Sequence, residues 1–592
     1  MSTVTPLTSV LDQRLRHAIA TALPEAGDTD PQVRPSEHAD FQADGILPLA
    51  KSLRANPRQL ATTVAAALRA EDPATEDLIA ECEVSGPGFL NLTLADTAIW
   101  RQVAARLAAP RLGIAAADGG NVTVIDYSQP NIAKQMHVGH LRSTIIGDAL
   151  VRILEFTGSK VIRQSHLGDW GTQFGMLIQY LFEHPELRAA APEHETGSAA
   201  ISRLTTLYQQ ARQRFETDPA FVERARRRVV DLQAGDPETL AAWQELVDES
   251  KVYFNDVYQR LGVLLTDDDA VGESFYNPML RETADDLEQR GVAVRSDGAL
   301  CVFFDDIRGP DGNPSPLIVQ KRDGGFGYAA TDLAAIRHRV GTLGASRILY
   351  VVDARQALHF RMVFETARRA GYLPDTVQAV HVIFGSVLGP DGRPFKTRAG
   401  QSVQLISLLT EAVDRARGTV AGKNPDLASA DLDERAHQVG IGAVKYADLS
   451  TGRTRDYIFD LDRMVSLQGN TGVYLQYAHA RIRSILRKLP DGTAAGGIDP
   501  AVAMEPAERA LALHLDALPT IIDTVTATLE PHRLAGHLYA TAQAFTTFYD
   551  TCPVLKAPNT AIRDNRLALC QLTSDTLNLG LDLLGIASPH QL

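Results

Sequence analysis

The stretch from Val122 to Gly158 constrains the fold more than any other. Val122-Thr123-Val124-Ile125-Asp126-Tyr127 reads as a buried strand, and a loop containing Pro130 follows. A helical pattern then runs from about His140 to Phe156 and stops at Gly158. Short apolar strands recur at 160–164, 347–352 and 377–384, with helical stretches such as 359–370 between them. Alternation of this kind builds an α/β domain, a parallel sheet with helices on both faces. Such sheets bind ligands beyond the carboxyl ends of their strands, where helix N-termini offer free N–H groups and partial positive charge.

The flanks read differently. Up to about Leu112, amphipathic helices at 9–23 and 59–70 accompany one strand, Gly88–Leu94, and an Ala- and Gly-rich linker covers 113–120. A charged, mostly helical insert lies between about 185 and 300, and from about 401 nearly everything reads as helix. The 592 residues are enough for three or four domains of about 150 residues. With 58 Lys and Arg against 72 Asp and Glu, the net charge is -14. That excludes a surface basic all over, though not local basic patches. Cys82, Cys301, Cys552 and Cys570 form no C-x-x-C pair, so reduced thiols and no structural metal are expected. Neither a signal peptide nor a run of about 18 apolar residues is visible, so the expectation is a cytoplasmic protein that engages no membrane.

Two loops carry chemistry. In the first, Lys134-Gln135-Met136-His137-Val138-Gly139-His140, two imidazoles flank a glycine at a helix start after a strand. They can donate to phosphate oxygens, while Gly139 lets a nucleotide approach the backbone. The plain alternatives are a metal pair or surface histidines, and no third ligand stands at zinc spacing. In the second, Gly389-Pro390-Asp391-Gly392-Arg393-Pro394-Phe395-Lys396-Thr397-Arg398-Ala399-Gly400, a cationic, glycine-flanked loop follows a strand and can close on a polyphosphate. A solvated turn is the alternative. Lysine usage favours chemistry: of only ten lysines in the chain, one lies in each loop, Lys134 and Lys396.

Together these residues resemble a class I aminoacyl-tRNA synthetase of the arginyl family. His137-Val138-Gly139-His140 resembles that class's HIGH signature, and Phe395–Gly400 resembles the arginyl form of its KMSKS loop. His140–Asp148, His166–Gly175, Val351-Val352-Asp353 with Gln356 and His359-Phe360, and Tyr474–Arg487 match as well. The resemblance spans essentially the whole chain. It implies an N-terminal α+β domain at 1–112 that contacts tRNA and a Rossmann-type catalytic domain at 119–400. A helical connection at 401–470 and an all-α anticodon-binding domain at 471–592 complete the chain.

The implied reaction activates L-arginine with ATP and Mg²⁺, then transfers it to the terminal adenosine of arginine tRNA by a monomeric enzyme. His137, His140, Lys134, Lys396 and Arg398 would be catalytic, with Gly139 and Val387 also at ATP. Lys134 would compensate for the loop's missing second lysine at Ala399-Gly400. Arginine would meet Asp126, Asn131, Tyr328, Asp332 and Gln356, with Gln129 and His140 near its backbone end. Tyr328 and Asp332, four apart at the start of an expected helix 331–339, can share a face. A site built for the guanidinium's N–H groups rejects analogues lacking them by about 10⁴–10⁵, so no editing domain is expected.

For tRNA, the resemblance points to Phe89 and Asn91 in the first domain and to Tyr474, Arg481, Arg483 and Arg487 near the last. His479, Arg483 and Arg487 follow one another at i, i+4, i+8 as a stripe, and Arg224, Arg226, Arg227 and Arg228 form a second cluster. Four positions depart from the family's usual pattern: Asp44, Gln129, Ser165 and the terminal Leu592. A paralogue serving a resistance or biosynthetic pathway, and a non-catalytic RNA-binding descendant, are the other readings. The retained His137, His140, Lys134 and Lys396 oppose the second.

Overall fold

Alternate residues of the central strands face two different cores. Ile125 and Leu349 point into one with the helix Val138–Phe156, while Val124, Ile348 and Tyr350 point into another with the helices Glu273–Gln289, Tyr328–Gly341 and Ala357–Arg369. This period-two split is why the strands read as continuous apolar runs. The computed structural model describes residues 3–70, 78–189, 197–308, 312, 315–393, 403–423, 425, 427–488 and 497–592.

The N-terminal region holds a four-stranded antiparallel sheet of β1 (Val33–Pro35), β2 (Phe41–Ala43), β3 (Ile79–Ser85) and β4 (Phe89–Leu94), in the order β1-β2-β4-β3. Only β4 was legible in the sequence, because β1 and β2 are too short to show a period. Strands β5 (Val122–Asp126), β6 (Lys160–Leu167) and β7 (Ala270–Gly272) follow. A small antiparallel sheet of β8 (Val294–Ser296), β9 (Ala299–Val302) and β10 (Leu317–Gln320) comes next, and then β11 (Arg347–Tyr350) and β12 (Gln378–His381). The central sheet runs β12-β11-β5-β6-β7, every pair parallel. Strand order reverses between β5 and β11, where Asp126 lies opposite Tyr350. That is where such sheets open a crevice.

Several boundaries shift from expectation. Among the described residues, helices make up most of the insert between Pro185 and Leu261, but β7 then returns to the central sheet inside the stretch assigned to the insert. The antiparallel sheet carries this region on to Gln320, past 300. The helix expected at 331–339 starts at Tyr328. Beyond 401 a two-residue strand, β14 (Tyr457–Ile458), pairs in parallel with β13 (Val387–Leu388), so the helical part is stitched to the second loop's launching strand.

The helix Val138–Phe156 is buried along nearly its whole length and ends where Gly158 takes φ +98°. It crosses the strand end so closely that a Cβ on Gly147 would sit 2.4 Å from Tyr127. Among the described residues one helical stretch, Pro506–Thr528 with mean hydropathy 1.2, is long and apolar enough to cross a membrane, and it consists of two helices. Its Glu508, Arg509 and Asp516 all take part in ion pairs with other parts of the chain.

Candidate active site

The loop leaving β5 has an unusual backbone. Ser128, Gln129 and Ala133 take φ of 72°, 51° and 59°, a region only glycine enters freely. Hydroxyls hold it there. Ser128 N–H donates to Ser143 Oγ at 2.9 Å, Tyr258 OH lies 2.9 Å from Ser128 Oγ, and Ala133 N–H donates to Ser250 Oγ at 2.9 Å. The loop is thereby aimed at the helix that follows.

The histidines begin that helix two residues earlier than expected because they cap it. His137 Nδ1 accepts the Gly139 N–H at 3.0 Å, and His140 Nδ1 accepts the His137 N–H at 3.1 Å. With both Nδ1 atoms accepting, each neutral ring carries its proton on Nε2. Burial, then Arg355 and Lys134, lowers the pKa of His137. Burial, then His137, lowers that of His140 to about 3. The result is two neutral N–H donors, ring centroids 4.2 Å apart, at a helix N-terminus. That suits phosphate oxygens and disfavours a metal pair, which would need bare Nε2 lone pairs.

Lys134 Nζ lies 5.1 Å from the ring centre of Tyr208, a cation–π contact at the insert. Lys396 and Arg398 fall outside the described residues, but both ends of their loop are anchored. Val387 is buried in β13, and beyond the loop Val138 N–H donates to Val403 O and Leu405 N–H to Met136 O. The chain beyond the cationic loop is thus tied at Val403 and Leu405 to Val138 and Met136, the residues flanking His137.

Around the second half of the crevice, three carboxylates gather. Asp169 accepts from Ser274 N at 2.9 Å and Ser274 Oγ at 2.6 Å, an approach only glycine at 272 allows, since a Cβ there would lie 1.9 Å from its carboxylate. Asp332 Oδ2 lies 2.6 Å from His359 Nε2. Glu273, at the start of its helix, has its pKa raised to about 8 by burial, then by Asp169 and Asp332. Tyr328 stands one turn before Asp332 at the mouth, 74% exposed. An acidic pocket with an aromatic rim takes a cation, and several acceptors suit one with several N–H donors.

Other expected arginine ligands stand elsewhere in the crevice. Asp126 is buried and already paired: Oδ2 accepts from Arg339 Nη2 at 2.7 Å, and Oδ1 from Gln129 Nε2 at 2.7 Å. Asn131 and Gln356 are exposed, Asn131 bridging to Gly168. Sequence reading missed Glu273 because it lies inside a stretch taken for the insert, without a motif. Asp169 and His359 lay in quoted stretches without a role.

The expected RNA contacts are partly tied up within the protein. Asn91 is buried and accepts from Gln42 Nε2 at 2.8 Å, with half-buried Phe89 two residues before it. Tyr474 OH lies 3.3 Å from Thr546 Oγ1, and Arg481 stacks over Tyr549 at 4.2 Å. The stripe does not face open solvent along its length. His479 is buried with Nδ1 3.3 Å from Pro589 O, Arg483 is half-buried, and Arg487 donates to His590 O at 2.9 Å. In the second cluster Arg224 pairs with Glu183, and Arg228 donates to Thr239 Oγ1, while Arg226 and Arg227 are exposed.

Comparison with known proteins agrees along the whole chain. Residues 102–461 match the catalytic domain of class I tRNA synthetases (R), 475–592 the DALR anticodon binding domain, and 9–94 the arginyl tRNA synthetase N-terminal domain. The arginine–tRNA ligase of Frankia casuarinae is 59% identical over 100% of this chain and 99% of its own. That of Streptomyces avermitilis is 58% identical over 100% of both. The crystal structure of arginyl-tRNA synthetase from Plasmodium falciparum superposes with a TM-score of 0.83 at 29% identity, covering 100% of both chains. The Thermus thermophilus arginyl-tRNA synthetase gives 0.80 at 27%, covering 98% of this chain and 100% of its own.

Proposed function

The chain belongs to the class I arginyl-tRNA synthetases, and on that premise we propose that it joins L-arginine to arginine tRNA using ATP. One juxtaposition supports the reading: two Nε2–H imidazoles at a helix N-terminus follow β5, and the acidic cluster's Asp169 and Glu273 follow its parallel neighbours β6 and β7, so both lie beyond the same carboxyl edge of the central sheet. ATP enters as its Mg²⁺ complex, with the metal as part of the substrate.

The arginine carboxylate is already ionised and attacks the α-phosphorus directly. The bond to the bridging oxygen breaks, and pyrophosphate leaves with its electron pair. Catalysis is therefore positioning and charge neutralisation. His137 and His140 donate Nε2–H to phosphate oxygens, Gly139 admits the nucleotide, and Val387 lines its binding site. Lys396 and Arg398, with Lys134, offset the charge gathering on pyrophosphate. Asp332, Glu273 and Tyr328, with Asn131 and Gln356, receive the arginine side chain, while Gln129 and His140 lie towards its backbone end. The terminal adenosine hydroxyl then attacks the carbonyl, loses its proton, and AMP departs.

Half-buried Phe89 at one end, and half-buried Tyr474, Arg481 and Arg483 with exposed Arg487 at the other, offer tRNA what surface they leave uncovered, while buried Asn91 holds Gln42 behind Phe89. One chain holds every part of the site, so a monomer suffices. The cytoplasm, where tRNA, ATP and reduced thiols coexist, is the proposed compartment. The test is aminoacylation of total tRNA with each of the twenty amino acids; arginine alone should be incorporated. Absence of arginine incorporation would sink the proposal.

A further inference from the structure

His359 reaches the arginine pocket only through another residue. It sits in the first turn of the helix Ala357–Arg369, three residues after Gln356, with Nε2 2.6 Å from Asp332 Oδ2. The side chains are 24% and 18% exposed, so the contact lies in the pocket wall. The next residue, Phe360, is buried, with its ring centre 4.8 Å from that of Tyr350 and 5.6 Å from that of Phe364. This aromatic core fixes the turn that presents the imidazole.

The three carboxylates are held by different means. Asp169 is pinned by two donors from Ser274, and Glu273 receives a backbone N–H from Trp170. Among the described residues, His359 is the one side chain bonded to Asp332. A carboxylate without such a donor turns about its broad, roughly two-fold terminal torsion. A guanidinium is a planar fork, and it meets a carboxylate well only when the two planes are set.

We infer that His359 is a positioning residue for arginine selection: its Nε2–H donates to Asp332 Oδ2, fixes the carboxylate plane, and leaves Oδ1 to receive the substrate's guanidinium. The inference rests on the reading of Asp332 as a guanidinium ligand. The guanidinium lies far from the reacting carboxylate and is held alike before and during the reaction. Losing the donor therefore weakens uniform binding, which appears in KM and not in kcat.

Aminoacylation of arginine tRNA, with arginine and ATP varied in turn, tests this on the full chain. His359→Leu should raise the arginine KM about tenfold while kcat and the ATP KM stay within about twofold. His359→Gln, whose longer amide brings an N–H to nearly the same place, should restore most of the loss. Leu and Gln variants that behave alike, or arginine and ATP KM values that rise together, overturn the inference. Asp332→Asn separates it from the reading beneath it. If that change leaves the arginine KM untouched, the pocket reading itself fails. If Asp332→Asn raises it and His359→Leu does not, only the role of His359 falls. His359→Asn, whose shorter amide stops short of Asp332, replaces the leucine variant should the latter not fold.

Discussion

Arg339 Nη2 lies 2.7 Å from Asp126 Oδ2, with the two side chains 0% and 3% exposed. The last turn of the helix whose first turn carries Tyr328 thus sends a guanidinium back under the sheet, where its Nε also donates to Gln164 Oε1 at 2.6 Å. The carboxylate at the end of β5 is occupied by the protein's own arginine. Breaking a buried pair leaves an uncompensated charge and costs about 3–5 kcal/mol. Asp126→Asn and Arg339→Met should each lower stability in urea unfolding by that amount, and the double variant should lose less than the sum. A selective rise in arginine KM without loss of stability would instead make Asp126 a direct substrate ligand.

Glu273 supplies a pH signature. Its folded pKa of about 8 lies above the ordinary 4.5, raised first by burial and then by Asp169 and Asp332. The stability it contributes is therefore present below about pH 4.5 and drains away as pH rises through about 8. A bound guanidinium favours the ionised form, so arginine binding below pH 8 expels a proton. The arginine KM should fall as pH rises from about 6 to about 8 and then level off. Glu273→Gln should flatten that slope. Steady-state kinetics across this range decide it, and an unchanged slope in the variant would place the titration elsewhere.

What the sequence made legible was local. His137, Gly139 and His140 lie within four residues, and their chemistry depends on a helix start that the preceding strand already announces. Tyr328 and Asp332 are one turn apart. Glu273 and Arg339 were hidden because their roles depend on where distant elements land: one reaches the pocket after a long helical detour, the other through the length of its side chain. The 479–487 stripe shows the opposite failure. Its period was read correctly, but a periodic face says nothing of what covers it, and here Pro589 and His590 lie against part of it.

The capping arrangement predicts an asymmetry between amides. His140 is held neutral with Nδ1 accepting from His137 N–H, so its working atom is Nε2–H. Glutamine places an amide nitrogen near the Nε2 position, whereas asparagine places it near Nδ1. His140→Asn should lower kcat by about 10²–10³, the effect of removing one donor to developing charge, with His140→Gln less affected. Because its pKa is near 3, the acid limb of the kcat profile should not move in His140→Gln. Single-turnover adenylate formation in the presence of tRNA measures both.

Asp516 clasps the two ends of the chain. It accepts from Leu7 N at 2.6 Å, Gln102 Nε2 at 2.7 Å and Arg106 Nε at 2.7 Å, and neighbouring Arg509 pairs with Asp40 and Asp96. The N-terminal region and the C-terminal helices are thus locked at fixed separation, although they lie at opposite ends of the sequence. A tRNA that touches both meets a preorganised pair of sites, and the second contact is made at high effective concentration. Arg509→Ala, which loosens the clasp at its half-exposed side, should raise the tRNA KM about fivefold while the arginine and ATP KM values hold. Equal losses for all three substrates would mean that the clasp supports the whole fold and not tRNA geometry.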